Sequence, residues 1–260
     1  MHDEVAKREE LIFAVNLIRS AGELTLESFG KPLTITRKED GSPVTTTDLE
    51  VESFIRSQIT EKYPDDSILG EEAGPRPGSS DRCWMIDPID GTYSFVHGVP
   101  LYGVMLGLSV AGEPHLGVIN LPALGELIYA VRDGGCFWNE VPARVSSKES
   151  LNEALLLSTD FMNCEKRGFG GPVTKLQQRV AAVRTWGDCY GHVLVATGRA
   201  EVMLDPLMKS IDCAILMPIV EEAGGTFTDW RGHRTIYGGD AISTNRSLHA
   251  SVIQSLAAQG

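Results

Sequence analysis

Five cysteines, at 83, 136, 164, 189 and 213, include no C-x-x-C pair. An odd count without pairing motifs argues against a disulfide scaffold and for a reduced, cytoplasmic chain. No run is apolar enough to span a membrane, and the opening MHDEVAKREE lacks the apolar stretch of a secretory signal. Basic charge is scarce: 23 Lys and Arg stand against 35 Asp and Glu, for a net charge of -12. Without a Lys/Arg stripe to meet a phosphate backbone, nucleic acid is excluded as a partner. No G-x-x-x-x-G-K-[ST] loop is present for a nucleotide. A phosphorylated metabolite would be repelled unless the site brought positive charge of its own, which points to metal.

What is present suits a folded globular protein. The 260 residues are 42% hydrophobic, enough for one large core or two packed halves. Leu11, Val15, Ile18, Ala21 and Leu24 recur at helical spacing within 4–28. LTITR (33–37) alternates like a strand, and KEDGSP (38–43) reads as a loop. Thr47 and Glu50 match a capping box opening a helix with Val51, Phe54, Ile55 and Ile59. Short strands follow at 67–69 and 83–86, separated by the polar loop GPRPGSSD (74–81). From 101 to 138, strands split by Ala111-Gly112 and Asp133-Gly134-Gly135 predict an antiparallel meander. Beyond about 145 a strand in LLLSTD (155–160), a helix over 173–183, a helix over 187–197, a strand at 201–205 and a helix over 211–223 alternate. Pro218 predicts a kink or late start in that last helix, and a final strand begins at Phe227-Thr228. The chain divides into an α+β half, 1–145, and an α/β half, 146–260.

The acids fall at element ends. Asp87 and Glu71 follow strands, Asp205 ends one, and Asp48 and Asp212 open helices, so they can converge on one sheet edge. In WMIDPIDGT (84–92), Pro88 stops the strand, and one helical turn after it would put Asp87 and Asp90 on a shared face. At about 4 Å and an effective dielectric of 20 their repulsion is on the order of 4 kcal/mol, which a hard cation reverses. Oxygen-only ligands suit Mg²⁺. Gly91-Thr92 then offers amides to a phosphate. Taken singly, each piece also reads as structure: DPIDG as a solvated turn, Asp48 and Asp212 as helix-start acids, Glu71-Glu72 as a surface pair. His97, Trp84, Trp138, Cys189 and Cys213 read as packing or hydrogen-bonding residues.

PVTTTDLEVE (43–52), GEE (70–72), WMIDPIDGTYSFVHG (84–98) and SIDCAILMPIVEEAGG (210–225) together resemble the inositol monophosphatase family of Mg²⁺-dependent phosphomonoesterases. Within it, GDCYGHVLVATGRAEVMLDPLMK (187–209) and EEAGGTFTDWRG (221–232) are similar to histidinol-phosphate phosphatases. The resemblance implies a layered αβαβα sandwich, a homodimer and two or three Mg²⁺ per site. It implies metal ligands at Glu71, Asp87, the Ile89 carbonyl, Asp90 and Asp212. It implies that Asp48 and Thr92 orient the attacking water, that Gly91 and Thr92 bind phosphate, and that Gly187, Asp188, Cys189 and Asp205 meet the alcohol. Asp188 and Asp205 could pair with the amine of histidinol phosphate; an inositol or sugar phosphate is the alternative. A catalytically dead metabolite-binding regulator would have lost an acid or the Asp–Thr pair, and all are kept. Ile211 departs from the family's usual aromatic before the second-half Asp.

Overall fold

The structure, a computed structural model, describes residues 2–38 and 41–257. Helix α1 (His2–Ser28) buries Ala14, Leu17, Ile18 and Ala21; of the expected stripe Ile18 and Ala21 are buried, and Leu11, Val15 and Leu24 pack partly buried against the same core. Strands β1 (Ile35–Arg37) and β2 (Pro43–Thr45) form a small antiparallel pair. Of the loop expected between them, Glu39 and Asp40 lie outside the described residues.

Helix α2 (Thr46–Lys62) starts directly after β2, and its capping box is Thr45 with Asp48. Thr47 and Glu50, expected in that role, lie already inside the helix. Thr45 is the last residue with extended backbone, so only its side chain can turn back onto the first amides.

Strands β3 (Ser67–Gly70), β4 (Gly74–Arg76) and β5 (Arg82–Asp90) follow. β3 runs parallel to β5 and antiparallel to β4, so the Pro/Gly-rich segment contributes a short edge strand rather than a loop throughout. After α3 (Thr92–Val96) the expected meander forms: β6 (Gly103–Val110), β7 (Glu113–Leu121), β8 (Glu126–Val131), β9 (Gly135–Trp138) and β10 (Val141–Pro142). The eight strands order β10-β9-β8-β7-β6-β5-β3-β4.

The remaining elements are β11 (Leu155–Ser158), α4 (Phe161–Lys166), α5 (Gly170–Gln177), β12 (Ala182–Arg184), α6 (Asp188–Ala196), β13 (Val202–Asp205), α7 (Ser210–Glu222), β14 (Gly225–Thr228), β15 (Ala241–Asn245) and α8 (His249–Ala257). The helix expected over 173–183 ends at Gln177, because 182–184 pairs in parallel with β11. α7 starts at Ser210 and runs through Pro218, so the proline delays nothing. β14 is not the last strand; β15 and α8 follow it. The second sheet orders β12-β11-β13-β15-β14.

The layers follow from which faces are apolar. α1 and α2 cover one face of the large sheet. α6 and α7 fill the space between the sheets, where Met85, Met105, Ile119, Val193, Ile215, Ile219 and Phe227 form one core. α5 and α8 cover the far face of the small sheet. This is the expected αβαβα sandwich. Gly107 and Gly117 let α7 lie close: a Cβ on either would run into Ile215. Trp84 is a fully buried core residue as read, Cys189 and Cys213 are buried thiols, and His97 bonds the Tyr93 carbonyl at 2.8 Å. All five cysteines are free. No helix among the described residues is long and apolar enough to cross a membrane.

Candidate active site

The corner at WMIDPIDGT is built differently from expectation. β5 does not stop at Pro88; it continues to Asp90. Its register against β6 pairs Asp87 with Met105 and Asp90 with Gly103, so three steps on β5 span two on its neighbour. In a regular strand, residues three apart point to opposite faces. The bulge absorbs one residue and brings both carboxylates into one cleft. A bulge also accommodates a proline, whose missing N–H would break a regular ladder. The Asp87 carboxylate accepts from the Ile89 amide at 3.0 Å, which locks the turn. Gly91 then takes a left-handed φ of 81° and α3 begins.

The cleft encloses about 440 Å³ and is lined by Glu71, Asp87, Ile89, Asp90, Gly91, Thr92, Asp188 and Asp212, together with Lys38 and Lys209. The remaining candidates, Asp48, Gly187, Cys189 and Asp205, stand behind this lining. Asp48 is buried, with its carboxylate taking the Thr45 amide at 2.8 Å and the Thr45 hydroxyl at 2.5 Å. Thr92 donates to the Ile89 carbonyl at 2.9 Å and not to Asp48, whose carboxylate is held by Thr45. The Cys189 amide donates to Asp90 at 2.5 Å, joining the start of α6 to β5. Ile211 is buried in the inter-sheet core, so the aliphatic substitute packs and Asp212 keeps its place in the cleft. A larger cavity of about 510 Å³, lined by Arg167, Arg231 and Tyr237 among others, contains none of the candidate residues.

Sequence reasoning missed three participants. Lys38 and Lys209 both donate to Glu71 Oε1, at 2.7 and 2.6 Å, and Lys38 also reaches Glu72 at 2.5 Å. Thr159 donates to Asp205 at 2.7 Å. No motif flags them: two are ordinary surface lysines in sequence, and Thr159 lies in an unremarked strand end.

Burial and like charge shift the carboxyls. Burial pushes Asp87 well up, helped by Glu71, Asp212 and Asp90. Asp212 is raised by burial, Asp90 and Glu71, and Asp188 by burial, Asp90, Asp205 and Asp212. Burial lifts Asp90 to about 6 against the opposing Cys189 hydrogen bonds. Glu71 goes the other way: burial pushes it up, but Lys209 and Lys38 outweigh that and hold it below the usual value.

As they stand, no three His, Cys, Asp or Glu side chains among the described residues close into a ligand set. The donors nevertheless fit a hard cation. All are oxygens, they repel one another, and Asp212 Oδ1 is buried without a hydrogen-bond partner.

The profile of the inositol monophosphatase family matches residues 6–260. The chain belongs to the inositol monophosphatase family. A relative from Chlorobaculum parvum named histidinol-phosphatase is 45% identical over 249 residues, 95% of this chain and 96% of that one. One of the same name from Mycobacterium tuberculosis is 36% identical, over 95% of this chain and 98% of the relative. Among solved structures, the Thermotoga maritima IMPase superposes with a TM-score of 0.88 at 31% identity, covering 95% of this chain and 96% of its own. Members of this family are phosphoric monoester hydrolases, and the fold described above is the one its solved structures share.

Proposed function

We propose that this chain is a magnesium-dependent phosphatase of histidinol phosphate. The observation that carries the substrate assignment is Asp188. It lines the cleft, and its charged neighbours are the acids Asp90, Asp205 and Asp212. With Asp90 and Asp212 taken up as metal ligands, Asp188 and Asp205 are the acids left to pair with a substrate whose alcohol part carries an ammonium group; a polyol offers no such charge. The names of the two histidinol-phosphatase relatives support the same choice.

In this reading Glu71, Asp87, the Ile89 carbonyl, Asp90 and Asp212 would hold two or three Mg²⁺. When bound, the cations offset the carboxylates' mutual repulsion and polarise water and phosphate oxygens. Gly91 and Thr92 hold the phosphate with their amides at the start of α3. Thr92 exchanges its bond to the Ile89 carbonyl for one to Asp48, and together they aim the attacking water in line with phosphorus. Asp48 takes the water's proton; the burial that raises its carboxyl makes it the stronger base. Gly187, Asp188, Cys189 and Asp205 fix the alcohol. Catalysis is positioning and charge stabilisation, without a covalent phosphoenzyme. Residues 1–145 supply most metal ligands, and 146–260 supply Asp212 and the alcohol contacts. A cytoplasmic homodimer completes the proposal, and the free cysteines are in keeping with that compartment.

The test is phosphate release with Mg²⁺ from L-histidinol phosphate and myo-inositol 1-phosphate in parallel, with EDTA controls. The expected outcome is at least about a hundredfold preference in kcat/KM for the amino alcohol ester, on the order of 3 kcal/mol. Equal rates, or a preference for the inositol ester, would discard the substrate while keeping the phosphatase.

A further inference from the structure

We infer that Thr159 is a positioning residue for substrate discrimination, its one hydroxyl tying the Asp188 backbone to the Asp205 carboxylate. This rests on the reading above, in which these two acids meet the alcohol part of the substrate.

Thr159 directly follows β11. Its Oγ1 accepts from the Asp188 amide at 2.9 Å and donates to Asp205 Oδ2 at 2.7 Å. A hydroxyl has one proton and two lone pairs, so the two bonds are compatible and directional. Asp188 needs such an anchor. Its φ is +53°, in the left-handed region that a residue with a side chain occupies at a cost. Two successive amides hold it there: its own on Thr159, and that of Cys189 on Asp90. Gly187 permits the approach, because a Cβ there would lie 2.7 Å from Thr159 Oγ1 and closer still to its Cα.

The Asp205 carboxylate accepts from Thr159 on Oδ2 and from the Leu207 amide on Oδ1, at 3.4 Å, and a histidine nitrogen stands close by. On the inner side, fully buried His192 has Nδ1 2.7 Å from Ser243 Oγ. Its Nε2 has no hydrogen-bond partner and lies 3.9 Å from Asp205 Oδ2, the same oxygen that Thr159 holds. In the tautomer with its proton on Nε2, with Nδ1 accepting from Ser243, His192 can donate to that oxygen. Without the Thr159 hydroxyl, Asp205 can close that gap and turn inward, while Asp188 loses the bond that offsets its strained backbone. Both acids would then move together. A threonine that served only packing would touch neither pair of atoms in this way.

The experiment compares Thr159→Val, which keeps the shape and removes the hydroxyl, with Thr159→Ser, which keeps the hydroxyl. The readout is the ratio of KM values for L-histidinol phosphate and for glycerol 1-phosphate, a phosphomonoester with no amine, on the Mg²⁺-loaded protein. In Thr159→Val the advantage of the amino alcohol ester is expected to fall about tenfold, through KM rather than kcat, and Thr159→Ser is expected to restore it. If the unsubstituted protein discriminates and folded Thr159→Val discriminates equally well, Thr159 does not position these acids. A loss equal on both substrates marks a general structural role and overturns the inference as well. If the unsubstituted protein shows no preference, the substrate reading itself has failed and the inference goes with it. Should Thr159→Val not fold, as judged by circular dichroism, Thr159→Ala carries the same comparison.

Discussion

Glu71 and Asp212 face each other across one cleft as largely buried carboxylates, yet their charges are managed in opposite ways. Glu71 is gripped by two ammonium groups on a single oxygen, and its pKa falls. Asp212 has one oxygen on the Lys209 amide at 3.3 Å and the other without a partner, and its pKa rises with those of Asp87 and Asp90. The difference separates an ion-paired corner, stable as it is, from a corner whose acids are compensated only by an added cation. Buried like charges of this kind are where function rather than stability has set the residues.

The largest expected effect comes from the uncompensated corner. Asp90→Asn should lower phosphate release by on the order of a thousandfold, while raising the melting temperature of chelator-treated protein, because one repulsive buried charge is gone. Steady-state assays and calorimetry read the two together. Activity near that of the parent protein would remove Asp90 from the machinery.

Next in size is a pH effect confined to protein held in EDTA. Asp90 has a folded value of about 6 against an ordinary 3.8. A raised value means that the stabilising contribution is complete below about pH 4 and is lost as pH climbs through 6. Carried to neutral pH, the loss is about 3 kcal/mol. Glu71, held below its ordinary 4.5, contributes the reverse: present above that pH and lost on acidification. The melting temperature from pH 4 to 8 should therefore decline towards neutrality in EDTA, and the decline should become shallower in Asp90→Asn, where Asp87, Asp188 and Asp212 still contribute, and flatten in saturating Mg²⁺. A flat profile in EDTA would contradict the difference between the corners.

How much of this contrast was legible beforehand depended on distance along the chain. The acid motif itself was readable, since Asp87, Pro88, Asp90 and Gly91 are adjacent and their chemistry is local. The reason the two acids face one way was not. That reason is a bulge, defined by partners Met105 and Gly103 on another strand, and no periodicity within 84–92 contains it. The sequence pattern puts the cap two residues late, because three consecutive threonines offer the same side chain and only the backbone angle at Thr45 selects among them. Lys38 reaches Glu71 across 33 residues and Lys209 across 138. Thr159 meets Asp188 and Asp205 across 29 and 46. β15, AISTN, has one large apolar residue, so alternation gave no signal, although all five of its residues are buried.

Lys209 offers a way to make the two corners alike. Its side chain is about half exposed, so its grip on Glu71 is partly screened. Lys209→Met removes one of the two cations a divalent ion must displace there. Binding of Mn²⁺ to chelator-stripped protein, followed by the loss of its free electron paramagnetic resonance signal, should tighten by about tenfold, roughly 1.4 kcal/mol. Weaker binding would mean that the lysine helps to assemble the site rather than competing for it.

The smallest effect tests Asp48, which belongs to neither corner. Burial raises its pKa, as in the Asp90 group, while hydrogen bonds from Thr45 oppose that rise, as the lysines do at Glu71. The same bonds cap α2, so stability and reactivity share one hydroxyl. Thr45→Ala should cost about 1 kcal/mol of stability, the usual value of an N-cap. It should also let the Asp48 carboxyl rise further, since a bond favouring its charged form is lost while the Thr45 amide remains. If Asp48 is the base, the acidic limb of the kcat profile moves to higher pH, and Thr45→Ser moves it back. A stability loss with an unmoved acidic limb would leave Asp48 as a cap alone and transfer the proton to another group in the cleft.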